Sequence, residues 1–177
     1  MERVLIIGCG GAGKSHLARR LADVSGLPLI HLDAEYWQPG WVEPGKAQWR
    51  ERVRGLSQGR RWIIDGNYGG TLEQRLADAD TVFFLDLPTL TCLYGVFERL
   101  IRYRGRTRPD ITPGCPERIE WEFLVYILKF RRKSRTHILD ALTGFKGDLV
   151  RLTSRRHVNR YLRSMEQESI DSVPVSA

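Results

Sequence analysis

A chain of 177 residues is the size of one globular domain, and its 42% hydrophobic content is enough for a single core without covalent cross-links. No apolar run approaches the roughly 20 residues of a membrane-spanning helix, and the N-terminus shows no signal-peptide pattern. The cysteines, Cys9, Cys92 and Cys115, match no zinc spacing. We therefore expect a cytoplasmic protein with reduced thiols and no membrane partner.

The positive charge is concentrated in one part of the chain. Residues 1–88 contain 11 basic and 11 acidic residues, whereas residues 99–135 contain 11 basic and 4 acidic residues. The net charge of +7 therefore lies in that second window. Such a concentration indicates a polyanionic partner, such as nucleic acid, acidic lipid or a phosphorylated small molecule. A solvated basic surface is the alternative interpretation.

The first predicted strand, residues 4–7, leads directly into a phosphate-binding motif. The sequence GCGGAGKS, residues 8–15, is a complete G-x-x-x-x-G-K-S, and apolar residues at helical spacing follow it. Glycines allow backbone N–H groups to face one concavity, and the helix start adds partial positive charge. Lys14 is expected to reach the β- and γ-phosphates and Ser15 to bind Mg²⁺. The predicted nucleotide-binding residues are Gly8, Gly10, Gly11, Ala12, Gly13, Lys14, Ser15 and His16.

The later elements continue an alternation of strands and helices. Short apolar strands are predicted at residues 28–33, 60–65, 80–86 and 147–152. Helices are predicted at about 46–57, 71–78, 89–103, 117–142 and 154–165. This order predicts an α/β fold of three layers (α/β/α) with a five-stranded parallel sheet. We expect one domain over residues 1–166 and a flexible tail over residues 167–177.

Three of the predicted strands end in aspartate, at Asp33, Asp65 and Asp86. Ligands of parallel sheets collect at the carboxyl ends of the strands, so all three are candidates for a site beside the phosphate loop. Asp65 is interpreted as holding the water shell of Mg²⁺ and Asp33 as accepting the proton of an acceptor. Asp86 is the reserve for either role. The alternative is that each aspartate only caps a strand end.

The segments after the second and third strands supply candidate substrate contacts. Glycines at 66, 69 and 70 leave room for a ligand beside Asn67 and Tyr68. Arg75 is expected either to bind an anionic group or to form a surface ion pair with Glu73, Asp78 or Asp80. Trp37 is interpreted as stacking on a flat substrate, whereas Trp41 is interpreted as packing.

These motifs resemble the nucleoside-monophosphate-kinase branch of the P-loop fold, which the adenylate kinases represent. The chain is more specifically similar to the group called DNA topology modulation proteins, or FlaR-like proteins. The similarity covers roughly residues 3–163 and rests on HLDAEYWQPGW (31–41), WIIDGNYGGTLEQRL (62–76), FLDLPTLTCLYGV (84–96), RPDITPGCPER (108–118) and EFLVYILKFRRKSR (122–135). The D-G-F-P-R motif of adenylate kinases is not kept, because Asn67, Tyr68 and Gly69 stand at those positions.

The resemblance also implies an arginine-rich lid at residues 103–117, followed by a returning helix with further arginines. Arginines that close over a transferred phosphoryl group stabilise its charge and exclude water. Arg106, Arg131 and Arg135 are the candidates for this catalytic role. The proline and glycine content of the segment fits a lid that moves freely. A loop that is merely solvated is the alternative.

The resulting expectation is a kinase that binds ATP and Mg²⁺ and transfers the γ-phosphoryl group to a hydroxyl or phosphate of a small acceptor. A nucleoside or nucleotide is a candidate acceptor, and the protein is expected to be a monomer or a dimer. A nucleic-acid-associated regulatory NTPase is the alternative function. It is not favoured, because no DNA-binding motif is present and the basic residues cluster at the lid.

Overall fold

A computed structural model describes residues 1–118 and 120–171, and its centre is a five-stranded parallel sheet. The strands are β1 (Arg3–Gly8), β2 (Leu29–His31), β3 (Trp62–Asp65), β4 (Thr81–Leu85) and β5 (Asp148–Leu152). Their order is β2-β3-β1-β4-β5, so the first strand of the chain lies in the middle. The predicted fold class is confirmed.

Eight α-helices connect and cover the described strands. They are α1 (Lys14–Ser25), α2 (Leu32–Tyr36), α3 (Lys46–Ser57), α4 (Leu72–Asp78), α5 (Thr89–Arg102), α6 (Trp121–Phe130), α7 (Ser134–Leu142) and α8 (Arg155–Asp171). A short 3₁₀ turn, Gly69–Thr71, precedes α4. Within the described residues, no helix has the length and apolar character needed to cross a membrane.

The central strands are buried because their side chains are apolar on both faces. Val4 to Ile7 of β1 and Val82 to Leu85 of β4 have no solvent exposure, and Trp62 is buried in β3. Such continuous apolar runs are typical of parallel strands that helices cover on both sides. Cys9, Cys92 and Cys115 are free, which agrees with the expectation of reduced thiols.

Several predicted boundaries were wrong. β2 ends at His31, and Asp33 lies in the first turn of α2. The helix predicted over residues 117–142 is two helices, α6 and α7, and the break at residues 131–133 contains neither glycine nor proline. Helix α8 extends to Asp171, into the residues predicted to be a flexible tail; residues 172–177 lie outside the described residues, and the flexibility of the tail stays a prediction.

Helix α5 has an apolar surface that faces solvent. It buries Cys92 and Val96, whereas Leu90 is 79% and Phe97 is 60% exposed. The buried side of α5 is the side that contacts the phosphate loop.

Candidate functional site

The phosphate loop lies between β1 and α1 and has the backbone conformation that its glycines predict. Gly8, Gly11 and Gly13 all have positive φ angles, of 146°, 76° and 93°. Residues with a Cβ rarely adopt these conformations. The Lys14 ammonium donates a hydrogen bond to the carbonyl of Cys9 at 3.1 Å. The loop therefore presents its amides and Lys14 at the start of α1, where a phosphate group would bind.

Helix α5 fixes this loop through direct backbone contact. A Cβ built on Gly11 would lie 2.1 Å from the carbonyl oxygen of Cys92, and one built on Gly95 would lie 2.1 Å from the carbonyl oxygen of Gly11. Both positions therefore require glycine. Gly95 was not identified from the sequence, because a glycine within a helix gives no local indication of what lies against it.

Helix α6 covers the loop from another side. A Cβ on Gly10 would lie 2.5 Å from the ring of Phe123, and the guanidinium of Arg99 lies 5.3 Å from the centroid of that ring. Asn67 connects the same parts: its Oδ1 accepts the N–H of Gly8 at 3.3 Å, and its Nδ2 donates to the Tyr126 hydroxyl at 2.8 Å. The side chain of Asn67 thus holds the loop and α6 together.

A cavity of about 810 Å³ opens beside the phosphate loop and brings together most of the predicted site. The predicted residues that line it are Gly10, Gly11, Ala12, Gly13, Lys14, Ser15, His16, Asp33, Trp37, Asp65, Asn67 and Tyr68. The predicted residues that do not line it are Gly8, Arg75, Asp86, Arg106, Arg131 and Arg135. The cavity therefore brings together the glycine loop, two of the three aspartates and Trp37, as expected, but none of the candidate arginines.

Asp65 is a buried carboxylate with one oxygen still available. Its Oδ2 lies 2.9 Å from Nδ1 of His31, and its buried Oδ1 has no hydrogen-bond partner within residues 1–118 and 120–171. Buried polar atoms are rarely left without a partner. A donor, a metal ion or a metal-bound water in the cavity would satisfy this oxygen.

Asp33 is the other cavity carboxylate that the sequence identified. The Tyr68 hydroxyl donates to its Oδ1 at 2.8 Å, and Nη2 of Arg108 lies 3.6 Å from its Oδ2. Burial raises the pKa of Tyr68, and the negative charge of Asp33 raises it further, so the phenol keeps its proton. The Asp33 side chain remains 42% exposed and can contact a ligand.

The prediction for Arg75 was wrong in both of its forms. Its side chain is completely buried, and it donates to the carbonyls of Thr71, Gly66, Asn67 and Tyr68. Burial lowers the pKa of this guanidinium to about 10. Arg75 therefore holds the loop between β3 and α4 in place and offers no group to a substrate.

Asp86 and Arg135 bind each other instead of a metal ion and a phosphate. Arg135 Nε lies 2.7 Å from Oδ1 of Asp86, and Arg151 also binds this carboxylate. Burial alone would raise the pKa of Asp86, but the hydrogen bonds from Arg135 and Arg151 outweigh it and lower that pKa. The paired strands β4 and β5 bring Arg151 to this aspartate, a contact that the sequence does not reveal.

The segment predicted to be a free lid is partly anchored. Arg108, Ile111 and Cys115 are buried. The hydroxyl of Thr112 donates to the Ala34 carbonyl at 2.8 Å, and the N–H of Gly40 donates to the Gly114 carbonyl at 3.0 Å. These contacts attach residues 112–114 to α2 and to the chain that follows it. Arg106, the predicted catalytic arginine, is exposed and lies away from the cavity.

Arg108 is the arginine of this segment that reaches the site. Its guanidinium lies 2.9 Å from Asp110 and 2.8 Å from Glu117, in addition to its contact with Asp33. Asp110 and Ser15 both line the cavity. Burial alone would raise the pKa of Asp110, but nearby groups, Arg108 first among them, outweigh it and lower that pKa. Asp110 was missed, although it is the only acidic residue between Arg99 and Pro116.

Trp37 and Trp41 both line the cavity, so Trp41 is not confined to packing. Their ring centroids lie 5.2 Å apart in an edge-to-face arrangement. Trp41 Nε1 donates to the carbonyl of Pro116 at 3.2 Å, and the Arg118 guanidinium lies 5.2 Å from its ring centroid. The two rings therefore form an apolar part of the cavity wall.

Comparison with solved structures identifies the fold. A shikimate kinase from Acinetobacter baumannii in complex with shikimate is similar with a TM-score of 0.59 and 16% identity, covering 98% of this chain and 96% of that one. A shikimate kinase from Bacteroides thetaiotaomicron gives a TM-score of 0.53 at 15% identity, covering 94% of this chain and 97% of that one. A shikimate kinase from Aquifex aeolicus gives a TM-score of 0.52 at 20% identity, covering 95% of this chain and 98% of that one. No family model and no curated protein sequence matches the chain.

This similarity places the chain in the P-loop α/β fold that shikimate kinases share. The alignment extends over almost the full length of both chains, so the fold is shared as a whole and not only around the glycine loop. At these identities the likeness concerns the fold, and the activity has to be argued from the site.

Proposed function

We propose that this protein is an ATP-dependent kinase that transfers the γ-phosphoryl group to a hydroxyl or phosphate of a small acceptor. The proposal rests on one observation: Lys14, Ser15, Asp33 and Asp65 line the same cavity. A phosphate-binding loop alone would fit any NTPase, but a pair of carboxylates beside it also fits proton removal from an acceptor.

The residues present also fit Mg²⁺, which prefers oxygen ligands. Ser15 offers a hydroxyl, and Asp65 offers a buried carboxylate oxygen that lacks a protein partner in the described part of the chain. A bound Mg²⁺ would neutralise charge on the phosphate oxygens. The roles assigned to Ser15 and Asp65 are part of the proposal, whereas Asp86 is not included because two arginines occupy it.

The proposed reaction assigns one task to each group. Lys14 and the loop amides bind the phosphates and stabilise the charge that develops during transfer. The acceptor oxygen forms a bond to the γ-phosphorus as the bond to the leaving oxygen of ADP breaks, and the acceptor's proton moves to the carboxylate of Asp33. Tyr68 and Arg108 hold that carboxylate in position. The segment over residues 108–118 limits access of water to the cavity.

The basic residues between positions 99 and 135 support the nucleic-acid alternative less than their number suggests. Arg99, Arg108, Arg118 and Arg135 all form ion pairs with carboxylates. These residues therefore present less free positive charge to a phosphate backbone than the sequence count indicates. Membership of the topology modulation group rests on sequence blocks alone, and a cytoplasmic location remains part of the proposal.

The test is a phosphotransfer screen with labelled ATP against nucleosides, nucleotides and sugars, with and without duplex DNA. We expect transfer of label to a small acceptor that depends on Mg²⁺ and does not depend on DNA. ATP hydrolysis that DNA stimulates, without transfer to any small molecule, would support the regulatory NTPase instead.

A further inference from the structure

Helices α5 and α6 share an apolar surface that faces solvent. Most of the large apolar side chains that are exposed within the described residues belong to these two helices, and each of them is more than half exposed: Leu90, Tyr94, Phe97, Ile101, Trp121 and Leu128. These six residues are called the α5–α6 face below. The opposite sides of the two helices contact the phosphate loop, through Gly95 of α5 and Phe123 of α6. The face therefore lies on the outside of the helices that support the loop.

The six side chains form one continuous surface. On α5 they follow one another at intervals of four, three and four residues, which places all four on one side of the helix. On α6, Trp121 and Leu128 lie one helical turn before and after Leu124. Leu124 lines an apolar groove of about 410 Å³ together with Tyr94 and Phe97 of α5. The stripe on α5 and the pair on α6 are therefore adjacent.

The area of the face matches what a stable interface needs. A large side chain has about 200 Å² of surface, so six that are about two-thirds exposed on average present roughly 800 Å². The largest apolar patch of a typical monomer measures about 300–600 Å². Each side of a standard protein–protein interface buries about 800 Å². A partner of ordinary interface size would therefore cover the whole face.

The spacing of the stripe on α5 fits a second helix as the partner. Apolar residues that recur every 3.5 residues on average form the narrow seam along which two helices pack side by side. A second copy of the chain carries an identical stripe, and a two-fold axis brings the same surface of both copies together. The face can therefore be covered by another copy of itself.

The charges at the edge of the face are self-complementary. Glu122 and Lys129 are exposed and directly follow Trp121 and Leu128 in the sequence. They are seven residues apart, so they lie along the same side of α6 with opposite signs. When two α6 helices pack antiparallel across a two-fold axis, Glu122 of each copy comes opposite Lys129 of the other. This pairing favours a second copy over an unrelated partner.

The other charges near the face agree with this arrangement. Glu98 binds Arg155 at 2.8 Å, and Arg99 binds Glu117 at 2.7 Å, so these four charges are paired within the chain. Arg102 is the last residue of α5, and the basic residues 131–133 directly follow α6. Antiparallel α6 helices place residues 131–133 of the two copies at opposite ends of the interface, where they do not repel each other. A face that binds an anionic membrane carries basic residues along its length, whereas here Glu122 stands at the same edge as Lys129.

We propose that the α5–α6 face is the interface of a homodimer in which the α6 helices of the two copies run antiparallel. This inference does not depend on the proposed kinase function. It selects the dimer from the two oligomeric states that the sequence leaves open, and it specifies the helices that make the contact.

Sedimentation velocity of the full chain tests the association. The chain has a mass of 20.4 kDa, and we expect twice that mass at about 100 µM, because interfaces of this area have micromolar or lower Kd values. Phe97→Glu places like charges in the face of both copies and should raise the Kd of the dimer at least about thirtyfold. Leu149→Glu makes the same kind of change at an exposed leucine of the edge strand β5, and it should leave the Kd within about threefold of the parent. A parent protein that is monomeric at about 100 µM, or equal effects of the two variants, overturns the inference.

A charge exchange tests the antiparallel arrangement without any change to an apolar residue. Glu122→Lys should raise the Kd at least about fivefold, because like charges then face each other at two places in the dimer. The double variant Glu122→Lys, Lys129→Glu should return the Kd to within about threefold of the parent, because the opposite charges face each other again. A parental Kd for the single variant, or a double variant as weak as the single one, overturns the antiparallel arrangement. A monomeric parent that binds vesicles of phosphatidylglycerol and phosphatidylcholine would overturn the dimer and make the face a membrane-binding surface.

Discussion

Replacement of Arg75 by methionine should destabilise the protein without any direct loss of a ligand contact. Methionine retains most of the apolar stem but none of the donors that serve the four carbonyls. The carbonyl of Tyr68 also accepts a bond from the N–H of Thr71, and Thr71 is the N-cap of α4, whose carbonyl accepts the first helical bond. The carbonyls of Gly66 and Asn67 are therefore the two that lose their partner. A buried carbonyl without its partner costs about 1–3 kcal/mol, which gives a total of about 4 kcal/mol.

Such a loss is large compared with the 5–15 kcal/mol by which domains are typically stable. For a chain of this size it corresponds to a decrease in Tm of about 10 °C. Guanidinium chloride unfolding followed by circular dichroism measures the free energy of unfolding directly. Arg60→Met, at an exposed position before β3, is the control and should change that free energy by less than about 0.5 kcal/mol.

The result also distinguishes the two interpretations of Arg75. A structural arginine gives a less stable variant in which the loop between β3 and α4 is disordered as a consequence. A substrate-binding arginine gives a variant of parental stability that has lost affinity only. A free energy of unfolding within about 1 kcal/mol of the parent would therefore refute the structural interpretation.

Three further predictions follow from the carboxylates and the basic segment. Asp33→Asn should retain Mg·ATP binding in calorimetry but abolish transfer to the acceptor, and loss of nucleotide affinity would contradict its acceptor-side role. Asp86→Asn should lower the free energy of unfolding by about 3 kcal/mol near neutral pH. The pKa of Asp86 in the folded protein lies below the usual 3.8. The stability that ionised Asp86 contributes is therefore complete above pH 3.8, and it is lost as the pH falls through the pKa of the folded state. The difference in free energy of unfolding between the parent and Asp86→Asn should therefore decrease only below about pH 4. A decrease of this difference between about pH 7 and 5 would contradict the assignment. Thermolysin, which cleaves before large apolar residues, should cleave before the buried Ile111 about fivefold faster in a Thr112→Val variant, which lacks the hydrogen bond to the Ala34 carbonyl, than in the parent, as mass spectrometry of early fragments would show; equal rates would contradict the anchoring of this segment.

The parts of the molecule that could be predicted from the sequence depend on local patterns. The glycine loop, the apolar strands and the parallel sheet follow from residues that are neighbours in the chain. For the same reason Lys14, Ser15 and Asp65 were correctly expected to lie at one edge of the sheet.

The parts that could not be predicted depend on contacts between distant segments. Asp86 meets Arg151 only because β4 and β5 pair, and Arg75 is buried only because the chain after β3 folds back over it. A count of arginines indicates a basic segment but not which of them already bind carboxylates. Only the folded chain shows that Asp110 and Glu117 neutralise Arg108.

The central claim is that Lys14 and the loop around it bind the phosphates of ATP, and titration calorimetry tests it most directly. Mg·ATP should bind the parent protein and lose most of its affinity for Lys14→Ala, while circular dichroism of the two proteins stays the same. The side chain of Lys14 lines the cavity, and the hydrogen bond that it donates goes to Cys9 of the same loop, so its loss should not disturb the core. Equal affinity of Mg·ATP for the parent and for a folded Lys14→Ala variant would contradict the claim.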